Sequence, residues 1–406
     1  MAEAGKAGVT AEHQAMALAG RSLRIVVIAG EHSGDLLGGR LMRALADRHA
    51  GAITYAGVGG EHMEAEGLKS VFPLSDVAVM GPAAILKRLP TIVRRVYTAV
   101  DAALAFEPDI VVIIDSPEFT HPIAKRIRRR RPSIPIVDYV SPSVWAWRPG
   151  RARKMRPYVD HVMALLPFEP AAHARLGGPP CTYVGHPMIE RYDWIKSRDG
   201  AGLAARLGLV KGRPVIVVLP GSRPSEVARL MRPFGESLRA LVAKGIEPEV
   251  VVPAVASVRG LIEAELAHWP VRPHLVAGED DKFAAFRLAD AALAASGTVT
   301  LELALAGTPA IVAYRVDGVA RHLRFLVKVP SIVLANLVAG RNIYPEFIQE
   351  ACNGEQLAEA LAHLLRDGRA RQHQIDGLLR IPERMLLVHG TPSERAADVV
   401  LAHIAR

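Results

Sequence analysis

Short runs of Val and Ile recur along the chain, at 23–29 (LRIVVIA), 110–114 (IVVII), 134–140 (IPIVDYV), 215–219 (VIVVL), 249–252 (EVVV) and 310–314 (AIVAY). Most are apolar at consecutive positions, and several run into Gly, Ser or Pro. That pattern predicts parallel strands covered on both faces. Ala- and Leu-rich stretches lie between them, such as 37–48, 233–244 and 300–306, and read as helices. Strand–helix alternation along the whole chain argues an α/β architecture with parallel sheets. The alternation occurs twice. The polar, Gly-containing segment 192–214 has no apolar strand of its own and reads as the divide. The expected organisation is an N-terminal tail (1–22), two α/β domains (23–195 and 196–380) and a C-terminal helical segment (381–406). Two such halves facing each other create a cleft at the carboxyl ends of their strands, where open α/β sheets take ligands.

The length, 406 residues, is too great for one ordinary core and agrees with two domains. Half the residues are apolar, which excludes a disordered chain. No apolar run reaches the ~18 residues of a membrane span, and the first twenty-two residues do not read as a secretory signal. The two cysteines, Cys181 and Cys352, are too few for a disulfide framework and point to a reducing compartment. Histidines are scattered, with no HExxH, so no metal site is expected. There are 50 Lys and Arg against 41 Asp and Glu, a formal charge of +9. This excess suits phosphate, nucleic acid or an acidic membrane, and charge alone does not choose among them.

Four loops carry candidate chemistry. The first strand runs into Gly30-Glu31-His32-Ser33-Gly34-Asp35, with a further glycine at Gly38. It is neither a P-loop nor a GxGxxG fingerprint. It reads either as a turn bringing a ligand to a helix N-terminus or as packing, with Ser33 or Asp35 as cap. Asp115 follows the apolar run 110–114, placed either as a general base for an attacking hydroxyl or as a cap ahead of Pro117. In the second half, Gly221-Ser222-Arg223 and Ser296-Gly297-Thr298 each follow a strand. Arg223 offers a forked donor for a diphosphate, and Glu302, about one turn into the next helix, suits ribose hydroxyls. Either loop alone reads as an ordinary turn and cap. Together they argue a nucleotide-diphosphate site. Trp145 and Trp147, followed by Arg148, Arg151, Arg153, Lys154 and Arg156, fit a nucleic-acid surface, a sugar site or a solvated basic helix. The apolar–basic segment 77–95 reads either as a membrane contact or as a core helix with a basic outer face.

As a set, these motifs resemble the lipid-A-disaccharide synthase family: AGEHSGD (29–35), YVSPSVWAWR (139–148), LLPFEP (165–170), VGHP (184–187), LPGSR (219–223), SGTVTLE (296–302), NLVAG (336–340) and PEFIQE (345–350). They occur in the family's order from about residue 22 to 350. The resemblance implies a GT-B glycosyltransferase, with two Rossmann-like domains facing across a cleft. It implies transfer of 2,3-diacylglucosamine from UDP-2,3-diacylglucosamine to 2,3-diacylglucosamine 1-phosphate, with inversion and without metal or cofactor. The products are a β-1,6-linked disaccharide 1-phosphate and UDP.

By the same resemblance Asp115 is the base for the acceptor 6-hydroxyl. Gly221, Ser222, Arg223, Ser296, Gly297, Thr298, Glu302 and Asn336 line the donor site. Glu31, Ser33, Gly34 and Asp35 are acceptor-site candidates. Val79, Met80, Ile85, Leu86, Lys87 and Arg88 become membrane-contact candidates, because both substrates carry acyl chains. The implied location is the cytoplasmic face of the inner membrane, on its anionic surface, and a homodimer with exchanged C-terminal segments is allowed. The chain departs from the family pattern at His32, at Asp-Ser-Pro-Glu (115–118) where Asp-Ala-Pro-Asp is usual, and at Ala335, where Pro is usual. Two other readings are a transferase or epimerase for a different UDP-sugar and a nucleic-acid-binding protein. The second leaves LPGSR and SGTVTLE unexplained, so no nucleic-acid partner is expected.

Overall fold

The computed structural model describes residues 20–78, 82–316 and 329–405. They form two compact units, one running to Pro187 and resuming at Leu387, the other spanning Met188–Leu386. The divide thus lies at Pro187/Met188 rather than at 195/196. The expected C-terminal helical segment is split: helix Arg380–Met385 belongs to the second unit and helix Pro392–Ile404 to the first. Of the expected N-terminal tail, residues 1–19 lie outside the described residues.

The first unit is built on seven parallel strands: β1 (Leu23–Ala29), β2 (Ile53–Val58), β3 (Lys69–Ser70), β4 (Ile110–Ile114), β5 (Ile136–Tyr139), β6 (His161–Ala164) and β7 (Cys181–Tyr183). Their order is β3-β2-β1-β4-β5-β6-β7. Side chains alternate across a strand, so the apolar runs feed two cores. Leu23, Ile25, Val27, Ile110, Val112 and Ile114 enter one, under helix His32–Arg48 and helix Pro392–Ile404. Val26, Ile28, Val111 and Ile113 enter the other, under helices Pro82–Phe106 and Pro117–Arg130. Burial on both faces is why these strands show no polar alternation.

The second unit repeats the plan with β8 (Val215–Leu219), β9 (Glu249–Pro253), β10 (His274–Val276), β11 (Ala291–Ala295), β12 (Ala310–Tyr314) and β13 (Glu346–Ile348), in the order β10-β9-β8-β11-β12-β13. One face packs on helices Pro224–Ala243 and Gly354–Arg366. In both sheets the order reverses after the first strand of the unit, between β1 and β4 and between β8 and β11. Such a reversal parts the loops on either side of it and leaves room for a ligand.

Candidate active site

The loops after β1 and β4 meet at the first reversal. A Cβ on Gly30 would lie 2.5 Å from Ser116 Cβ, so only glycine allows this approach. Asp115 and Ser116 both adopt left-handed backbone, with φ of 53° and 44°. Non-glycine residues rarely do so, at a cost of about 1–3 kcal/mol each. The turn is held on both sides. Asp115 N–H donates to the Tyr139 carbonyl at 3.0 Å, and Thr120 Oγ1 donates to the Asp115 carbonyl at 2.7 Å. Ser116 N–H donates to Asp115 Oδ1 at 2.8 Å. Burial raises the proton affinity of the Asp115 carboxyl; the Ser116 N–H opposes this, the negative charges of Glu31 and Asp138 add to it, and the Ser33 hydroxyl opposes it. Glu31, Ser33 and Asp115 are therefore neighbours.

Asp35 has a different task. It is 2% exposed, and its two carboxylate oxygens accept from the backbone N–H groups of Gly60 (2.7 Å), His62 (3.1 Å) and Met63 (3.1 Å). It holds the start of helix Glu61–Ala65. Neither Ser33 nor Asp35 caps its own helix, whose N-cap Glu31 makes no side-chain bond. Gly34 packs where a Cβ would stand 3.3 Å from the Ile114 carbonyl.

The second reversal places the other two loops. Gly221 turns with φ 112° after β8, and a Cβ there would lie 2.5 Å from Glu226 Oε2. Glu226 is buried and accepts from Ser222 N–H (3.3 Å) and from Arg223 Nη1 (3.1 Å). It thus orients a guanidinium whose side chain remains 60% exposed. The twenty-residue helix Pro224–Ala243 begins at this loop, with the positive end of its dipole there. After β11, Ser296 Oγ donates to the Ile332 carbonyl at 2.7 Å, Thr300 Oγ1 donates to the Gly297 carbonyl at 2.9 Å, and Thr298 is the N-cap of helix Val299–Ala306. Glu302 Oε1 accepts from Lys282 Nζ at 3.1 Å.

Asn336 has no capacity left for a ligand. It is 2% exposed; its amide nitrogen donates to the Tyr344 carbonyl (2.9 Å) and Glu346 Oε1 (3.1 Å), and its oxygen accepts from the N–H groups of Ile343 and Tyr344 (both 2.9 Å). All four amide positions are filled. Glu346 in turn accepts from Ile332 N–H (3.0 Å) and the Ser331 hydroxyl. Asn336 and Glu346 therefore bolt 331–346 together, and Ser296 fastens the loop after β11 to that block. Sequence reading missed Glu226, Lys282 and Glu346. Glu226, three residues after Arg223 on a helix start, carried a usable signal; the other two depend on contacts across the fold.

In the Trp–Arg segment Trp145 and Arg151 are tied into the fold, while Arg148, Arg153, Lys154 and Arg156 are exposed. Trp145 Nε1 donates to Glu169 Oε1 at 3.1 Å, and its ring meets Phe168 edge-on at 5.2 Å. Glu169 Oε2 also accepts from Leu166 N–H at 2.9 Å, and burial pushes the Glu169 carboxyl up to about 7. Arg151 pairs with Glu118 at 2.5 Å, and Arg148 lies over Trp147. Of the membrane candidates, Val79 and Met80 lie outside the described residues. Ile85, Leu86 and Lys87 sit in helix Pro82–Phe106, and their side chains also lie outside the description. Arg88 is exposed and donates to the Ser75 carbonyl at 3.0 Å. Among the described residues no helix is long and apolar enough to cross a membrane.

The profile of the lipid-A-disaccharide synthetase family matches residues 25–397. A lipid-A-disaccharide synthase of Nitrobacter hamburgensis is 51% identical over 384 residues, covering 94% of this chain and 96% of that one. The chain belongs to the lipid-A-disaccharide synthase family. A further relative of that name, from Rhodospirillum centenum, is 44% identical across 95% of this chain and 96% of its own. Membership makes the protein an enzyme, a glycosyltransferase of lipid A biosynthesis. Solved structures agree on the fold. UDP-GlcNAc 2-epimerase from Neisseria meningitidis, bound to UDP-GlcNAc, superposes with a TM-score of 0.58 at 13% identity, covering 93% of this chain and 98% of that one. The calicheamicin glycosyltransferase superposes at 0.55 and 16% identity, covering 95% and 99%. The fold is thus the GT-B type, two Rossmann-like units, as expected for the synthase family.

Proposed function

We propose that the enzyme transfers 2,3-diacylglucosamine from UDP-2,3-diacylglucosamine to the 6-hydroxyl of 2,3-diacylglucosamine 1-phosphate, with inversion. In this reading Asp115 takes the hydroxyl proton as the oxygen attacks the anomeric carbon and the bond to UDP breaks. One displacement with one base converts an α-linked donor to a β-1,6 product. The observation that carries the assignment is the setting of Asp115: a carboxylate at the sheet reversal, in a strained turn, beside Glu31 and Ser33, with its proton affinity raised by burial. A more basic carboxylate removes a hydroxyl proton more readily. Arg223, held by Glu226, meets the diphosphate and stabilises the charge that grows as UDP leaves. Gly221, Ser222, Gly297 and Thr298 shape the donor loops, Glu302 faces the ribose with one oxygen steadied by Lys282, and Ser296 and Asn336 support the loops from behind.

Acyl-chain substrates call for a membrane surface. Leu89, Val93 and Tyr97 are 45%, 46% and 44% exposed and recur every four residues along one face of helix Pro82–Phe106. Exposed Arg88 and Arg94 adjoin them. Apolar side chains flanked by cations suit an anionic bilayer, so the reading extends to peripheral attachment at the cytoplasmic face of the inner membrane. The test is a turnover assay with both lipid substrates in detergent micelles. Wild type should release UDP and a disaccharide 1-phosphate. Asp115→Asn should bind UDP normally and turn over at a small fraction of that rate. Near-normal turnover by the variant would remove Asp115 from the mechanism.

A further inference from the structure

Asp138 is a carboxylate inside an apolar core. It lies on β5, is 1% exposed and faces the side of the sheet covered by Phe119, Ile123, Ile127 and Tyr158. A buried carboxylate is costly unless paired. Its partner is His121, whose Nε2 lies 3.2 Å from Asp138 Oδ2 and whose Nδ1 lies 3.1 Å from the Tyr158 hydroxyl. The pair joins the helix that follows Asp115 to the strand beside it.

The bonds make a closed ring around the strained turn. Asp115 N–H is fixed by the carbonyl of Tyr139, next to Asp138. The Asp115 carbonyl is fixed by Thr120, next to His121. His121 and Asp138 complete the circuit. We propose that His121 and Asp138 are positioning residues for Asp115, clamping its left-handed backbone so that the carboxylate keeps one orientation. The inference rests on the reading of Asp115 as base.

Other charges bear on the pair. Glu31 acts on Asp115 from the loop after β1, in the same direction as Asp138. Tyr158 carries Lys125 over its ring and feels Arg151. His173 on helix Glu169–Leu176 and Cys181 on β7 also feel the Asp138 charge. None of these bridges the two elements that hold Asp115.

The test is kcat and KM as functions of pH for wild type, Asp138→Asn, His121→Leu, His121→Gln and Tyr158→Phe, each first shown to be folded by circular dichroism and melting. Asp138→Asn keeps the shape and removes the charge. Its kcat should fall roughly 10-fold or more, as for a catalytic group displaced from its attack geometry, with KM for both substrates unchanged. Its acidic limb should move to lower pH, because Asp115 loses a neighbouring negative charge. His121→Leu should lower kcat likewise, and His121→Gln, whose amide still donates to Asp138, should restore most of it. Tyr158→Phe deletes one hydroxyl and tests the clamp should Asp138→Asn fail to fold; its kcat should drop with KM unchanged. Folded variants with wild-type kcat and an unmoved acidic limb would overturn the proposal. So would a loss of melting temperature with the pH profile unchanged. Asp115→Asn is the control: if it remains active, the fault lies in the reading of Asp115 and not in the clamp.

Discussion

Replacing Asn336 by Ala separates a structural bolt from a nucleotide contact. The substitution leaves the N–H groups of Ile343 and Tyr344 without an acceptor, in residues almost wholly buried. An unsatisfied buried donor costs about 1–3 kcal/mol, so two cost about 2–6 kcal/mol. In a unit of about 200 residues, each kcal/mol lowers the melting temperature by roughly 2–4 °C. The expected fall is therefore on the order of 10 °C in the absence of UDP. Two-unit chains need not melt as one, so calorimetry should be paired with hydrogen exchange over 334–346, where protection should drop. Asn336→Asp keeps the acceptor but sets a carboxylate against Glu346, whose Oε1 lies 3.1 Å from the Asn336 amide nitrogen. The two facing carboxylates repel, so this variant should also melt below wild type. A UDP-free Asn336→Ala protein that melts within about a degree of wild type, yet binds UDP far more weakly, would refute the bolt and restore the nucleotide contact.

Arg223→Ala removes the guanidinium steadied by Glu226; a charge-assisted bond worth about 1.5–3 kcal/mol implies roughly 10- to 100-fold weaker UDP binding, and unchanged affinity in calorimetry would end the diphosphate role. Glu169 holds its proton more tightly folded (about 7) than unfolded. The folded state therefore binds more protons between the two values, and stability should decline as pH rises from about 4.5 to 7, by on the order of 3 kcal/mol. Urea melts at pH 5, 6, 7 and 8 should show that slope in wild type and a much flatter one in Glu169→Gln. Leu89→Ser with Val93→Ser, both at exposed positions, should cut partition onto anionic liposomes several-fold with the melting temperature nearly unchanged, and undiminished partition would move the membrane face elsewhere.

Strands such as β4 and β8 were legible because a five-residue apolar β-branched run between turn residues has few other structures open to it. β11 was not in the apolar pattern, since Ala291–Ala295 (AALAA) is a helix-forming composition. Tertiary packing overrides it, as strand positions covered on both faces accept small side chains. Helix Pro224–Ala243 was expected to start near Pro233, yet it runs through that proline. The candidate loops were legible as glycine and polar residues following strands. The work done by Asp35 and Asn336 was not, because their partners are backbone N–H groups brought near by the fold. A main-chain donor leaves no mark in a side-chain pattern: Asp35 read either as part of a ligand turn or as a cap of its own helix, and Asn336 had a role only through the family resemblance.

The path of the chain has a consequence for biosynthesis. Met188–Leu386 is an insertion within the first unit, whose last helix supplies Ala396, Ala397 and Val400 to the core shared with Leu41 and Leu45 and pairs Glu394 and Asp398 with Arg48. The first sheet emerges from the ribosome with that strip uncovered, and it stays so while about two hundred further residues are made. The second unit, contiguous in sequence, has all its parts first. The unit begun earliest is completed last, and a nascent chain lacking its final twenty residues carries a finished second unit beside a first unit with an apolar seam. Translational stalling or C-terminal proteolysis would thus strike the unit that bears Asp115, far from the break in sequence, and leave the second unit as the surviving part of the fold.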